Sequence, residues 1–384
     1  MVNKSDSDIS RKAGEFVIDK GRISVFQMGI MTYLLIGATA ILIVPSITAK
    51  YAGRDMWLSP IFSSMSGFIV VWLAWKLNQL FPEESIIGSS EAILGRTLGK
   101  IFSFLFLFFL LHTFGTIALE HGIFIVKAFL FKTPIVVVIG SILLVCGLAV
   151  RGGIEVIARC TQIFLPMIIL FSVFMASLTI PDFNLKNILP VMENGIMPAM
   201  KGSVVPHVWF VEFFFISFLF PVLNRRGKIL RGGIMPVLIL MVTMVASNLF
   251  CLFVLGDVTA KFPFPVYTVG RYISMAEFIQ NLDGIIMAIW IGGGFIQLSV
   301  WYYTLVVGTA RWLNLSDYRP LVFPIGFLTL IFSIWDIRSF QRLVSFFSTS
   351  VIPFSFTFCM LYPLLLLCVA VVRKKRRDNS AKVE

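Results

Sequence analysis

Leu35-Ile36-Gly37-Ala38-Thr39-Ala40, with Pro45 close behind, lies at the centre of an apolar stretch running from Ile23 to Ala49. The stretch is long enough to cross a bilayer, for which ~20 apolar residues suffice. A helix that only anchored a protein would carry Leu and Ile at its centre. Small residues and a β-branched hydroxyl at mid-depth predict instead that backbone unwinds there to face a ligand. Free N–H and C=O groups are tolerated in a membrane where they line a cavity. The same residues also suit close packing of one helix on another.

The rest of the chain supports a membrane setting. Of its 384 residues 58% are hydrophobic and 14% charged, with mean hydropathy +0.91. That balance excludes a soluble domain and predicts an all-α integral membrane protein. The polar leader Met1–Arg22 runs straight into a full-length span and reads as a cytoplasmic leader rather than a cleaved signal. No polar stretch has room for a soluble catalytic domain. Cys146, Cys160, Cys251, Cys359 and Cys368 all sit in apolar runs without CxxC spacing, and read as small hydrophobic packers.

Long apolar runs predict about ten spans, near 23–49, 57–80, 101–131, 134–150, 154–178, 195–223 (interrupted), 233–255, 284–313, 321–335 and 343–372. With the N-terminus inside, 22 of the 32 Lys and Arg fall on the cytoplasmic side, which predicts that both termini are cytoplasmic. The net charge of +12 is therefore a matter of topology and membrane lipid, not of nucleic acid. The chain divides into a leader (1–22), one transporter-like membrane domain (23–372) and a basic cytoplasmic tail (373–384), whose Arg373-Lys374-Lys375-Arg376-Arg377 abuts the last span. Two external connections, Pro181–Lys201 and Asp257–Asp283, are too long for turns. The amphipathic stretch Tyr272–Leu282 is expected to lie on the outer surface as a lid, and an interfacial helix is expected within Pro82–Lys100.

The sixth run is interrupted as well. Pro198, Gly202, Pro206 and His207 precede Trp209, after which Phe210–Leu223 resumes as helix. Breaks in spans one and six, five spans apart, are what an inverted five-plus-five repeat predicts.

Several strings together resemble a known family. They are Gly37–Pro45 (GATAILIVP), Ala52–Leu58 (AGRDMWL), Leu189-Pro190-Val191, Gly195–Gly202 (GIMPAMKG), Phe264-Pro265-Val266, Arg271–Ile279 (RYISMAEFI) and Trp290-Ile291. These resemble the B subunits of GerA-type spore germinant receptors, within the amino acid/polyamine/organocation superfamily. The resemblance covers Gly21 to Val372. It implies a LeuT-like fold, an inner spore membrane location, and partnership with an A-type subunit and a lipoprotein C-type subunit.

Candidate ligand-lining residues follow from the two breaks. Gly37, Ala38 and Thr39 would present backbone at the first. On span three, His112, Gly115, Thr116 and Glu120 follow helical spacing along one face, with Thr113 beside it. Glu120 is costly in hydrocarbon and should face protein or water. Trp209 follows the second break and Glu212 sits one turn on, suited to a substrate amine, a proton or a neighbouring helix. Span eight offers Gly293 within Gly292-Gly293-Gly294, then Gln297 and Ser299; span ten offers Phe354 as an apolar wall. Arg159 in span five is a permanent cation. It would mimic a bound ion and lock spans one, five and eight, or else snorkel to the inner interface.

No metal-ligand spacing, P-loop, nucleophile elbow or histidine relay appears, so neither an enzyme nor a cofactor is expected. The resemblance implies a germinant-sensing subunit, and with the breaks it predicts binding of a small nutrient such as an amino acid at mid-membrane. The alternative is a proton- or sodium-coupled amino acid permease.

Overall fold

The computed structural model describes residues 19–82, 84–224, 228–273, 283–335, 346 and 349–380. The lid expected at Tyr272–Leu282 falls almost wholly outside the described residues, as do most of the leader and the beginning of the tenth run. Among the described residues the chain is helical, with one isolated bridge between Ile23 and Leu223.

Span one is a single helix, Val25–Ala52. It starts at a capping box in which the Gln27 N–H donates to Ser24 Oγ at 3.1 Å and the Ser24 N–H donates to Gln27 Oε1 at 2.8 Å. It ends at Gly53, whose φ of 55° suits a residue without a side chain. The expected break at Gly37–Ala40 is therefore absent. The small residues bring neighbours close instead: a Cβ on Gly37 would meet Leu240 Cδ1 of span seven at 3.3 Å, and Ala38 lies against Gly293 of span eight.

A 3-10 corner, Gly53–Leu58, leads into span two, Ser59–Leu80. The helix expected on the inner face is present as Ile86–Leu94. It is tucked beneath the bundle with Ile86, Ile87 and Ile93 buried, and is tied to span eight by a Glu84–Arg311 ion pair of 2.7 Å. Spans three, four and five are Arg96–Ala128, Ile135–Gly152 and Ile154–Thr179. Spans seven and eight are Ile229–Leu255 and Asp283–Leu313, and span nine is the shorter Val322–Trp335. Span ten combines Val351–Phe356, a π-turn at Thr357–Leu361, and Tyr362–Ser380.

Span six is broken where the sequence places the break. Met197–Ser203 and His207–Phe218 meet at 52°. Pro206 has no N–H for the Gly202 carbonyl and disfavours helix at Val205, so the ladder stops there. Beyond the short helix His207–Val211 the chain tightens to 3-10 geometry over Glu212–Phe218. Each half is fastened to span two: Ser59 Oγ donates to the Ala199 carbonyl at 2.9 Å, and His207 Nδ1 lies 2.9 Å from Ser66 Oγ.

At the end of the bundle opposite the leader, Arg54 is paired with both carboxylate oxygens of Asp257 at 3.1 and 2.9 Å and also donates to the Leu189 carbonyl. Asp55 accepts from the Met192 N–H at 2.9 Å, so the connection between spans five and six is pinned to the corner between spans one and two.

Candidate ligand site

A buried polar knot joins the three elements that sequence reasoning singled out. Thr39 Oγ1 accepts the indole N–H of Trp209 in span six at 3.1 Å and the side-chain amide N–H of Gln297 in span eight at 3.1 Å. The three residues are 1%, 3% and 0% exposed. The polar group that span one offers at mid-depth is thus a side-chain hydroxyl, because an intact helix keeps its carbonyls in its own ladder.

The three glycines of span eight face three different neighbours. An added Cβ would meet Phe164 of span five at 3.0 Å from Gly292, Ala38 of span one at 3.5 Å from Gly293, and would clash with the His121 ring of span three from Gly294. Successive helical residues are 100° apart, so a run of three serves three contacts at once. Gln297, one turn from Gly293, is thereby brought onto Thr39.

Span three divides its expected face. Glu120 is buried at 2% exposure, and its Oε1 has no hydrogen-bond partner among the described residues. Thr116 is buried and bonds back to the His112 carbonyl at 3.0 Å; Thr113 is buried beside it. His112 lies between the rings of Phe346 and Phe354, at 5.4 and 5.3 Å. Gly115 does not face the interior but serves span nine, where a Cβ would meet Phe332 at 3.2 Å. Ser299 also turns away from Gln297, because two residues along a helix rotate a side chain by about 200°. Gly37, against Leu240, is likewise outside the knot.

Glu212 is buried at the first residue of the 3-10 stretch. That stretch packs against the π-turn of span ten, where Cys359 is buried. Departures from α geometry in two facing spans often mark functional positions.

Aromatic layers flank the knot. Toward the Ala128 end of span three, Phe124 contacts Trp290 at 4.6 Å and Phe264 at 5.2 Å, while His121 stacks on Trp290 at 5.1 Å. Toward its Arg96 end, Phe109 contacts Phe358 at 4.8 Å and Phe354 at 5.0 Å, and Phe215 meets Trp301 at 4.4 Å. Phe354 belongs to this second layer.

Arg159 does not lock spans one, five and eight. Its side chain is 75% exposed and pairs with Glu155 on its own helix at 3.6 Å. The inner fastening is made by Asp19. Its carboxylate accepts the Gly21 N–H at 2.8 Å, the Ile154 N–H at 3.2 Å and the Tyr303 hydroxyl at 3.1 Å, so the leader is joined to spans five and eight. Span five begins at Gly153, which has no side chain to cap it, and an acceptor from elsewhere takes that place. One acidic residue in a polar leader carried no pattern by which to find it. Among the described residues no group of three or more His, Cys, Asp or Glu is placed to hold a metal ion.

Known proteins resemble this chain in sequence and in fold. The family described as "Spore germination protein" matches residues 22–341. Spore germination protein KB of Bacillus subtilis (strain 168) is 30% identical over 375 residues, covering 94% of this chain and 98% of that protein. Spore germination protein XB of Bacillus anthracis is 25% identical over 283 residues, covering 72% and 78%. Among solved structures, Mhp1, a nucleobase-cation-symport-1 family transporter, aligns with TM-score 0.59 at 15% identity over 91% of this chain and 80% of its own. MhsT in complex with L-phenylalanine aligns with TM-score 0.62 at 12% identity over 90% and 98%. The fold is accordingly that of LeuT-like transporters, in a multi-pass membrane protein, and the chain belongs to the spore germination protein family.

Proposed function

We propose that this chain is the nutrient-sensing subunit of a spore germination receptor, binding a small molecule such as an amino acid between spans one, three, six, eight and ten. The carrying observation is the Thr39–Trp209–Gln297 knot, a buried polar centre beside the break in span six within a transporter fold. In this reading the nutrient enters from outside, past the Trp290–Phe124 layer, and favours one arrangement of the bundle by its differential affinity for it. The arrangement is passed to A-type and C-type partner subunits in the inner spore membrane, with both termini cytoplasmic. Coupled transport by a permease is the second reading, favoured by the likeness of the fold to transporters.

The test is nutrient-triggered release of dipicolinate from spores carrying this chain and its native partners as their only receptor, across amino acids, sugars and nucleosides. Thr39→Val at matched protein level is expected to weaken or abolish the response. An unchanged response would remove the knot from ligand binding. Saturable, concentrative uptake that collapses with the ion gradient would establish the permease reading.

A further inference from the structure

Two arginines at the leader end of the bundle are held in place without an acid to neutralise them. Among the described residues, Arg54, Arg159 and Arg311 are each ion-paired with a carboxylate, whereas no carboxylate lies within ion-pair reach of the Arg151 or Arg319 guanidinium. Both of these residues are exposed. The Arg151 guanidinium lies over the Phe323 ring at 5.2 Å. Arg319 donates from Nε to the Arg151 carbonyl at 3.2 Å and lies over the Tyr318 ring at 5.9 Å. The neighbouring carboxylate, Asp317, accepts the Arg319 backbone N–H at 3.0 Å instead. An aromatic ring takes up the flat face of a guanidinium and leaves its N–H edge to meet an oxyanion.

The pair sits at the level of a lipid headgroup. Span four has 18 residues and rises about 27 Å, close to the ~30 Å of a hydrocarbon core. Arg151 is its penultimate residue, and Arg319 opens the 3-10 turn that leads into span nine. The Tyr318 hydroxyl donates to the Val150 carbonyl at 2.9 Å, which fixes the two ends side by side.

From the pair toward mid-membrane runs an apolar surface. Spans four and nine pack antiparallel: a Cβ on Gly147 would meet Val322 at 3.5 Å, and one on Gly140 would meet Leu330 at 3.8 Å. Leu144, Leu148 and Arg151 share one face of span four, while Arg319, Phe323 and Phe327 share one face of span nine. The contact of Arg151 with Phe323 puts both faces on the same side of the seam. The four apolar side chains are all exposed, from 39% at Phe323 to 66% at Phe327.

We propose that this seam binds one anionic phospholipid, its phosphate on Arg151 and Arg319 and an acyl chain along Leu144, Leu148 and Phe327. Charge complementarity selects the occupant: two permanent cations, lacking acids of their own, cap a surface suited to hydrocarbon. The bound lipid ties the end of span four to the start of span nine. The site is separate from the polar knot and does not depend on the proposed function.

The experiment is native mass spectrometry of the purified full chain in uncharged detergent, titrated with phosphatidylglycerol, phosphatidylcholine or sodium phosphate. One phosphatidylglycerol is expected to bind saturably and ahead of phosphatidylcholine, with apparent affinity lowered fivefold or more in Arg151→Gln and in Arg319→Gln. Arg159→Gln removes another exposed arginine, in the first turns of span five, and should leave that affinity unchanged. Wild-type chain exposed to phosphatidylglycerol with a diazirine in its acyl chain should be labelled within 144–148 and 323–327. Excess phosphatidylglycerol, but not phosphatidylcholine, should suppress that labelling, a readout independent of any variant's folding. Equal binding of the two lipids, equal affinity in the wild type and Arg151→Gln, or an equal loss in Arg159→Gln overturns the site, as does labelling spread evenly around the bundle. Competition by sodium phosphate without labelling of those two segments assigns the arginines to a free anion and likewise overturns the lipid site.

Discussion

Replacing Thr39 by Val removes one oxygen and almost no volume, so the change isolates the polar knot from packing. Two buried donors, the Trp209 indole and the Gln297 amide, then lose an acceptor at 3.1 Å each. Soluble-protein experience puts an unsatisfied buried donor at ~1–3 kcal/mol, which would total about 2–6 kcal/mol. In membranes the average hydrogen bond between helices is worth only about 0.6 kcal/mol and at most about 1.7, because the unfolded chain also finds partners. The membrane scale governs here, since the donors sit on spans that remain in the bilayer when the bundle loosens. The expected loss is therefore about 1.2 kcal/mol for the two bonds, roughly an eightfold shift in the folded-to-unfolded ratio.

Unfolding of the purified chain by dodecyl sulfate in mixed micelles, followed by tryptophan fluorescence, measures this directly. Thr39→Ser keeps the hydroxyl and should restore most of the loss. A double-mutant cycle with Gln297→Leu should give a coupling of about 0.6 kcal/mol. If Thr39→Val is as stable as the wild type and the coupling is zero, the knot contributes nothing and the reasoning built on it is refuted.

The glycine run gives a test by sign: Gly294→Ala drives a Cβ into the His121 ring and should cost about 1–3 kcal/mol, whereas Gly293→Ala meets Ala38 at ordinary contact and should be neutral or mildly stabilising. The same unfolding titration would count against the three-direction arrangement if the two variants behaved alike. Asp19→Ala leaves the Gly21 and Ile154 N–H groups and the Tyr303 hydroxyl without their acceptor, and should speed hydrogen exchange over the first turn of span five at least tenfold. Unchanged exchange there would show that the leader does not fasten the inner face. Arg159→Gln should alter stability by no more than about 0.5 kcal/mol and leave the dipicolinate response intact, as expected of an exposed pair; a lost response would reinstate the lock.

Much of the fold was legible because hydrocarbon imposes a local rule. A run of ~20 apolar residues must be helical, so the spans could be read one at a time. The break in span six was legible from Pro206, which removes a ladder donor, but a proline alone does not decide it, since Pro45, Pro166 and Pro236 lie inside continuous helices. Gly37–Ala40 was ambiguous in a way no local rule resolves. Small residues either free a backbone or admit a neighbour, and the answer lay in Gly293 and Leu240, more than 200 residues away. Arg159 failed on rotational phase. Span five buries Ile154, Ile157, Ala158 and Thr161 while Glu155, Arg159, Ile163 and Leu170 look outward, so the Glu155 and Arg159 spacing marks its exposed face rather than a contact with spans one and eight. Thr39, Trp209 and Gln297 were each named from the sequence, but as separate linings around an unwound backbone.

That difference bears on how such a protein would change its ligand. A site of freed carbonyls is fixed by the course of the chain, and altering its polarity means altering the fold. Here span one keeps its ladder, and Glu120 Oε1 and Gln297 Oε1 are among the buried side-chain atoms without a hydrogen-bond partner among the described residues. On the reading proposed, one scaffold then serves different nutrients by substitution at those positions and at Thr39, while the glycine contacts and the Asp19 fastening hold the bundle unchanged. A Gln297→Glu or Glu120→Gln exchange that moved the preferred nutrient between charged and neutral compounds, without loss of stability, is the outcome this separation of ligand chemistry from backbone requires.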